Sequence, residues 1–323
     1  MAKLALDAAT RGKNLTGKTY IVTGANSGVG LETARQLVRQ GGHVVLACRR
    51  VDAGREAAEG FASLPGTYEV MRLDLVDLQS VRDFVTAFTG THERLDGLAC
   101  NAGMVNLTGG KQVTADGLES TIAVSYFGHF LLTELLVDTL QASAPSRMVI
   151  LSSVVHAGSP KNRPAVHLDD LNWEQREFRA QAAYAAAKVA TVLYAQELAE
   201  RLEGTGVTVY SVHPGWARSS FGSGGNLLSR IGLAVIRPLT RLVSDSNEES
   251  AQTTLHCLLS DDAPNHNGAY FSQHSVLYRD PGTRGGGWPM ESPNPHARDM
   301  PTARRLVDMS YGIVGLPKPS PAS

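Results

Sequence analysis

Thr23-Gly24-Ala25-Asn26-Ser27-Gly28-Val29-Gly30 follows directly on the apolar run YIVT at 20–23 and opens a helical pattern over 29–40. A glycine at a strand end permits a sharp turn. A second lets backbone approach a pyrophosphate, and a third lets helix and strand pack closely. The phosphates then meet the positive end of the new helix through the backbone amides of Asn26, Ser27 and Val29. The spacing is G-x-x-x-G-x-G, and by itself it also suits a βα turn with no ligand. Its position adds weight, because it follows the first strand of a long alternation.

Strand-like runs recur at 43–48 (HVVLAC), 68–73, 95–100, 147–152 (RMVILS) and 207–212 (VTVYSV). Helical patterns separate them at 53–63, 78–88, about 115–141 and 180–202. Such alternation means parallel strands joined by right-handed crossovers. The strands are near-continuous apolar runs, as expected when helices cover both sheet faces. The sequence therefore predicts an α/β fold: one doubly wound Rossmann domain, mostly parallel, over 15–316. An N-terminal arm occupies 1–14 and a frayed tail 317–323. After the sixth strand come a flap at 216–246, a helix at 247–259 and a short strand near 269–271. A Pro/Gly-rich arm or loop follows at 280–301, then a last helix at 302–316.

The composition fits a globular protein, 42% hydrophobic over 323 residues. Thirty Lys+Arg against 31 Asp+Glu give a formal charge of -1, so no global positive field draws in nucleic acid. Cys48, Cys100 and Cys257 form no C-x-x-C, which points to reduced thiols and a cytoplasmic location. No run of 18 apolar residues predicts a membrane span. The segment 226–243 is apolar, with three arginines and Pro238. Two readings stand for it: a flap over an apolar pocket, or a surface making peripheral membrane contact.

The end of the second strand decides which nucleotide fits. A carboxylate there would bind a ribose 2′-OH and select NADH. This chain has Cys48-Arg49-Arg50, two guanidiniums where a 2′-phosphate would lie, so NADPH/NADP+ is favoured over NADH. The competing reading is a solvated helix start in which Asp52 pairs with either arginine. Asp74-Leu75 and Asn101-Ala102-Gly103 end the third and fourth strands and face the same crevice. Asp74 is placed to accept from an adenine amine, since Asp77 is the better helix cap.

Tyr184 and Lys188 stand at i and i+4 on one helical pattern and so share a face. A neighbouring cation lowers a phenol's pKa and suits it to exchange a proton with a carbonyl or alcohol oxygen. Ser153, at the end of the fifth strand, offers a hydroxyl to hold that oxygen. Alone, Tyr-x-x-x-Lys also describes a surface pair. The order of phosphate turn, strand-end serine and Tyr/Lys helix gives it force.

With TGANSGVG, Asp74-Leu75, the NAG of Asn101–Gly103, Ser153, Tyr184, Lys188 and His213-Pro214-Gly215 in order, the chain resembles the short-chain dehydrogenase/reductase family over nearly its whole length. The resemblance implies that Tyr184 is the catalytic acid/base and Ser153 the group orienting the substrate oxygen. It implies that Lys188 binds the nicotinamide ribose and lowers the Tyr184 pKa. Pro214, Gly215 and Trp216 would line the nicotinamide end, and Ser219 would meet the carboxamide. ACRR, GHFLL, GTGVTVYSVHPG, ESAQTTLHCLL and NGAYFS resemble the retinol dehydrogenase and light-dependent protochlorophyllide reductase branch. Against the second, Trp216 stands where that enzyme has Cys, and its insertion between Ser153 and Tyr184 is missing. The family's usual Asn before GHF is replaced by Ser125, which suggests a proton relay re-routed or completed by a neighbour such as Tyr126.

These readings predict an NADPH-dependent enzyme interconverting a carbonyl and an alcohol on a bulky lipophilic substrate, retinoid-, steroid- or polyketide-like. The alternatives are a cofactor-bound sensor or scaffold with impaired chemistry, and a light-driven double-bond reductase. Ten histidines show no H-x-x-x-H or H-E-x-x-H spacing, so no catalytic metal is expected. The resemblance allows a homo-oligomer built on the two long helices, with the Gly/Pro arm as a feature that could block it.

Overall fold

A computed structural model of the protein describes residues 5–103, 110–215, 245–273 and 289–319. Seven strands form one sheet: β1 Thr19–Thr23, β2 His43–Cys48, β3 Thr67–Arg72, β4 Gly97–Cys100, β5 Ser146–Leu151, β6 Val207–His213 and β7 Tyr270–Ser272. Their order is β3-β2-β1-β4-β5-β6-β7 and every ladder is parallel. The order reverses at β1, so a crevice opens between β1 and β4 at their carboxyl ends, where ligands bind in such sheets.

Strand alternation sends neighbouring residues to opposite faces. Ile21, Val45, Met148 and Ile150 enter one core. It is completed by α3 (Leu78–Thr89), α4 (Gly128–Ala142), α5 (Ala180–Arg201) and α7 (Met300–Ile313). Val22, Val44, Leu46 and Val149 enter the other, against α1 (Gly28–Arg39), α2 (Val51–Ala58) and α6 (Asn247–Leu259). Burial on both faces is why the strands read as unbroken apolar runs.

The differences from the sequence-based reading are local. The helix expected over 53–63 is α2 followed by a 3-10 turn at Glu59–Phe61. The long helix begins at Ser120 and passes through a π-helical turn, Ala123–Phe127, before α4. By length and composition Ser120–Ala142 could cross a membrane, but most of it is buried inside the protein. The end of the Pro/Gly passage is not purely extended. Pro295–Arg298 is a 3-10 turn, and Met300 and Pro301 already belong to α7, with Pro in the first helical turn where it costs no hydrogen bond.

The described part of the N-terminal arm is fastened down. The Leu6 amide donates to Gln252 Oε1 (3.0 Å), and Gln40 Nε2 donates to the Thr10 carbonyl (2.9 Å). At the far edge the Met290 amide donates to the Tyr270 carbonyl (2.9 Å), an antiparallel bridge along β7.

Candidate active site

The glycine turn is built as the spacing requires. Gly24 and Gly28 have φ of +65° and +60°, which side-chain-bearing residues rarely adopt. A Cβ on Gly30 would lie 2.4 Å from Asn101 Nδ2 and 2.8 Å from the Gly24 carbonyl, so this glycine allows α1 to sit against the turn. Ser27 caps α1 without using its side chain, and the first turn holds no acidic residue. Val29 is buried behind the turn, while Ser27 is exposed.

A cleft of about 250 Å³ runs past this turn. Gly24 and Asn26 line it from β1, Arg49 and Arg50 from β2, Asp74 and Leu75 from β3. Ala102 and Gly103 close it from β4. The bare glycine turn, the helix N-terminus and the lining of the cleft fit a dinucleotide, whose diphosphate would be held by the Asn26, Ser27, Gly28 and Val29 amides.

At the adenosine end, Arg49 and Arg50 are exposed and form no ion pair among the described residues. Asp52 lies nearest Arg55 (3.4 Å), on the exposed face of α2. Asp77 caps α3, accepting from the Gln79 and Ser80 amides at 3.0 and 3.1 Å. Asp74 accepts from the Val76 amide (3.3 Å) and remains on the cleft wall.

The reaction end is built from buried groups. Lys188 Nζ donates to the Leu151 carbonyl at 2.8 Å and lies 5.7 Å from the centre of the Tyr184 ring. A Cβ on Gly103 would sit 3.8 Å from that Nζ, so the pair adjoins the cleft. Ser152 Oγ donates to the Lys188 carbonyl (2.9 Å), fixing α5 against the end of β5. The Ser153 hydroxyl is close enough to the Tyr184 phenol to lower its pKa. Burial pushes the Lys188 ammonium down to about 8. Burial likewise pushes the Tyr184 phenol up to about 12, against the lowering effect of Ser153. The lowering expected from Lys188 does not set the Tyr184 phenol in the cofactor-free protein, where desolvation is the largest cause and pushes it up.

Ser125 lies in the π-helical turn, 1% exposed, and its hydroxyl has no partner among the described residues. Tyr126 does not complete a relay from there. Its hydroxyl meets Ser310 Oγ at 2.9 Å in the aromatic core beside α7, which commits it to packing. Pro214 and Gly215 follow β6, with Gly215 at φ +91°. Trp216, Ser219 and the flap at 216–244 lie outside the described residues.

Sequence reasoning missed two supports. Thr23 Oγ1 accepts from the Ala102 amide (2.8 Å) and meets His129 Nε2 at 2.9 Å, while the His129 ring lies near the Ser125 backbone one helical turn earlier. Burial and the Lys188 charge hold His129 neutral, down to about 3. It thus bridges the phosphate turn, the NAG loop and the π-helical turn. The second support is the end of the Pro/Gly passage. Asn294 Nδ2 donates to the His156 and Pro164 carbonyls (2.6 and 2.7 Å), and Ser292 Oγ meets His156 Nε2 at 2.8 Å. His156 Nδ1 in turn lies 2.6 Å from the Ser153 carbonyl. The only signal was an Asn before Pro, which reads as an ordinary turn.

Fold and cleft define a doubly wound protein with a dinucleotide site at its switch point. The short chain dehydrogenase family model matches residues 18–164. Human retinol dehydrogenase 13 is 38% identical over 309 residues, covering 95% of this chain and 87% of that protein. Human retinol dehydrogenase 11 is 37% identical, covering 94% and 87%. The chain belongs to the short-chain dehydrogenase/reductase family, in its retinol dehydrogenase-like branch. Among solved structures, a Mycobacterium paratuberculosis protein of uncharacterised activity is 28% identical and superposes with a TM-score of 0.72, covering 98% of this chain and 100% of that one. A Beutenbergia cavernae protein with bound NADP shares the fold at 24% identity and a TM-score of 0.61, covering 80% and 96%. Family membership makes the chain an oxidoreductase acting on alcohol or carbonyl groups with a nicotinamide cofactor.

Proposed function

We propose that this chain interconverts a carbonyl and an alcohol on a bulky lipophilic substrate and that it uses NADP(H). The observation that carries the reading is the convergence of Ser153, Tyr184 and Lys188 beside Gly103, at one end of a cleft whose other end carries Arg49 and Arg50. The two unpaired guanidiniums, with no carboxylate at the end of β2, support a 2′-phosphate. The names of the retinol dehydrogenase relatives support a retinoid-like substrate.

The bound cofactor supplies or accepts the hydride. Ser153 Oγ donates to the substrate oxygen and orients it. Tyr184 carries its proton firmly at neutral pH, which suits it to protonate that oxygen during reduction. In the reverse direction it must first lose that proton, and the Lys188 ammonium favours the phenolate. Lys188, held on the Leu151 carbonyl, is also placed to reach a ribose hydroxyl beside Gly103.

The test is NADPH oxidation with a panel of lipophilic aldehydes and ketones, retinaldehyde included. The expected result is turnover in the native protein, a much weaker response to NADH, and loss of turnover in Tyr184→Phe with NADPH binding retained. Unchanged turnover in Tyr184→Phe would remove the proposed acid. Binding of NADPH with no turnover of any carbonyl or alcohol would favour the sensor reading.

A further inference from the structure

At the amino-terminal edge of the sheet, away from the cleft, His43 opens β2, Glu69 lies on β3 and His92 follows α3. His92 Nε2 is 3.0 Å from Glu69 Oε1 and 3.2 Å from His43 Nε2, and His43 Nε2 is 3.5 Å from Glu69 Oε1. The other ring nitrogens are already engaged. His92 Nδ1 lies 3.2 Å from the Phe88 carbonyl, and His43 Nδ1 lies 2.8 Å from Thr67 Oγ1. Thr91 Oγ1 lies 2.9 Å from the same His92 nitrogen; in the tautomer that serves the Phe88 carbonyl, which only accepts, Nδ1 carries the proton and Nε2 presents a lone pair to the triangle.

That lone pair faces a carboxylate oxygen and a second ring nitrogen at contact distance. A proton on His43 Nε2 would satisfy one neighbour at a time. Glu69 Oε1 is buried and has no hydrogen-bond partner among the described residues. A cation at the centre of the triangle meets all three atoms at once. The edges also have the right size, since four ligands at zinc bond lengths of ~2.0–2.1 Å stand about 3.3 Å apart at the corners of a tetrahedron.

We propose that His43, Glu69 and His92 form a site for a divalent transition-metal ion of the zinc class, with water at the fourth corner. The partial exposure of all three side chains gives water access to that corner. The rings are held in place before any ion arrives. His92 stacks on Phe88 at 4.6 Å between centroids and on His43 at 5.2 Å, and the engaged Nδ1 atoms orient both rings in the manner of outer-shell partners of metal-bound histidine. The ion would tie β2, β3 and the α3–β4 connection together. Its place at the opposite edge from Tyr184 makes it a structural staple and not part of the hydride chemistry. No short motif announces it, because the three ligands come from three separate elements.

Tag-free, chelator-treated protein is titrated with Zn²⁺ alone by calorimetry and with Co²⁺ alone by visible absorption. The expected results are one ion per chain, a raised melting temperature with Zn²⁺, and an intense tetrahedral Co²⁺ band. Glu69→Gln and His92→Gln should each weaken the ion by at least about tenfold, with NADPH affinity unchanged. Should His92→Gln fail to fold by circular dichroism, His43→Gln takes its place. No saturable binding, a pale octahedral Co²⁺ spectrum, or binding that survives in a folded ligand variant would each overturn the proposal.

Discussion

The two ends of the cleft are made differently. The nucleotide end presents glycine backbone, a helix terminus and two exposed arginines. The reaction end presents side chains held on backbone carbonyls: Ser152 on Lys188, Lys188 on Leu151, His156 on Ser153. A multiply charged ligand needs an open, hydrated approach, so binding there rests on amides and solvated cations. Proton transfer needs a group whose protonation is set by its surroundings, and burial sets it here at the cost of stability.

Mutations at the two ends should therefore separate rate from binding and stability. Tyr184→Phe should have the largest effect, a fall in kcat of about 10²–10⁴ at an unchanged KM for NADPH, measured by steady-state kinetics. Lys188→Met should follow, with about a hundredfold loss of kcat/KM and weaker NADPH. The same change should stabilise the cofactor-free protein, because a buried ammonium pushed down to about 8 costs about 3 kcal/mol, partly offset by the stranded Leu151 carbonyl. Thermal melting without cofactor checks it.

The sign of the pH effect is fixed by the same residue. Between about 8 and the ordinary lysine range near ~10.4 the unfolded chain keeps a proton that the folded chain has released. Relative to Lys188→Met, the stability of the cofactor-free native protein should rise with pH across that window; the buried thiols, which burial pushes up and which lower stability there, act alike in both proteins and cancel in the difference. At the other end of the cleft, Arg49→Ala with Arg50→Ala should raise the KM for NADPH by about tenfold or more, leave kcat intact and change NADH kinetics little. The smallest effect is expected from Asn294→Ala. It strands the buried His156 and Pro164 carbonyls, which should lower stability by about 1–3 kcal/mol and reduce kcat a few-fold by loosening the Ser153 segment.

The central strands β1, β2, β4, β5 and β6 were legible because a sheet covered on both faces writes itself as apolar runs. The glycine turn and the Tyr184–Lys188 pair were legible because their geometry is local: a turn, and one helical step. The supports were not. His129 looked like one more residue in an apolar helix, yet it bridges Thr23 and Ser125 across more than a hundred positions. Asn294 and Ser292 looked like solvated loop, yet both are buried because they satisfy backbone carbonyls and a histidine far along the chain. The π-helical turn at Ala123–Phe127 has no residue signature, and the phenol's upward shift depends on burial that spacing does not reveal.

The bridge from Met290 to Tyr270 bears on how copies of this chain meet. An unpaired strand edge is a template for another chain. Along β7 the chain's own backbone already occupies part of that template. Along β3 no strand is added among the described residues, but Glu69 and Arg72 place charge there and the strand is only six residues long. Among the described residues, edge-to-edge pairing is thus hindered on one flank by self-pairing at Tyr270 and Met290 and discouraged on the other by the charge of Glu69 and Arg72.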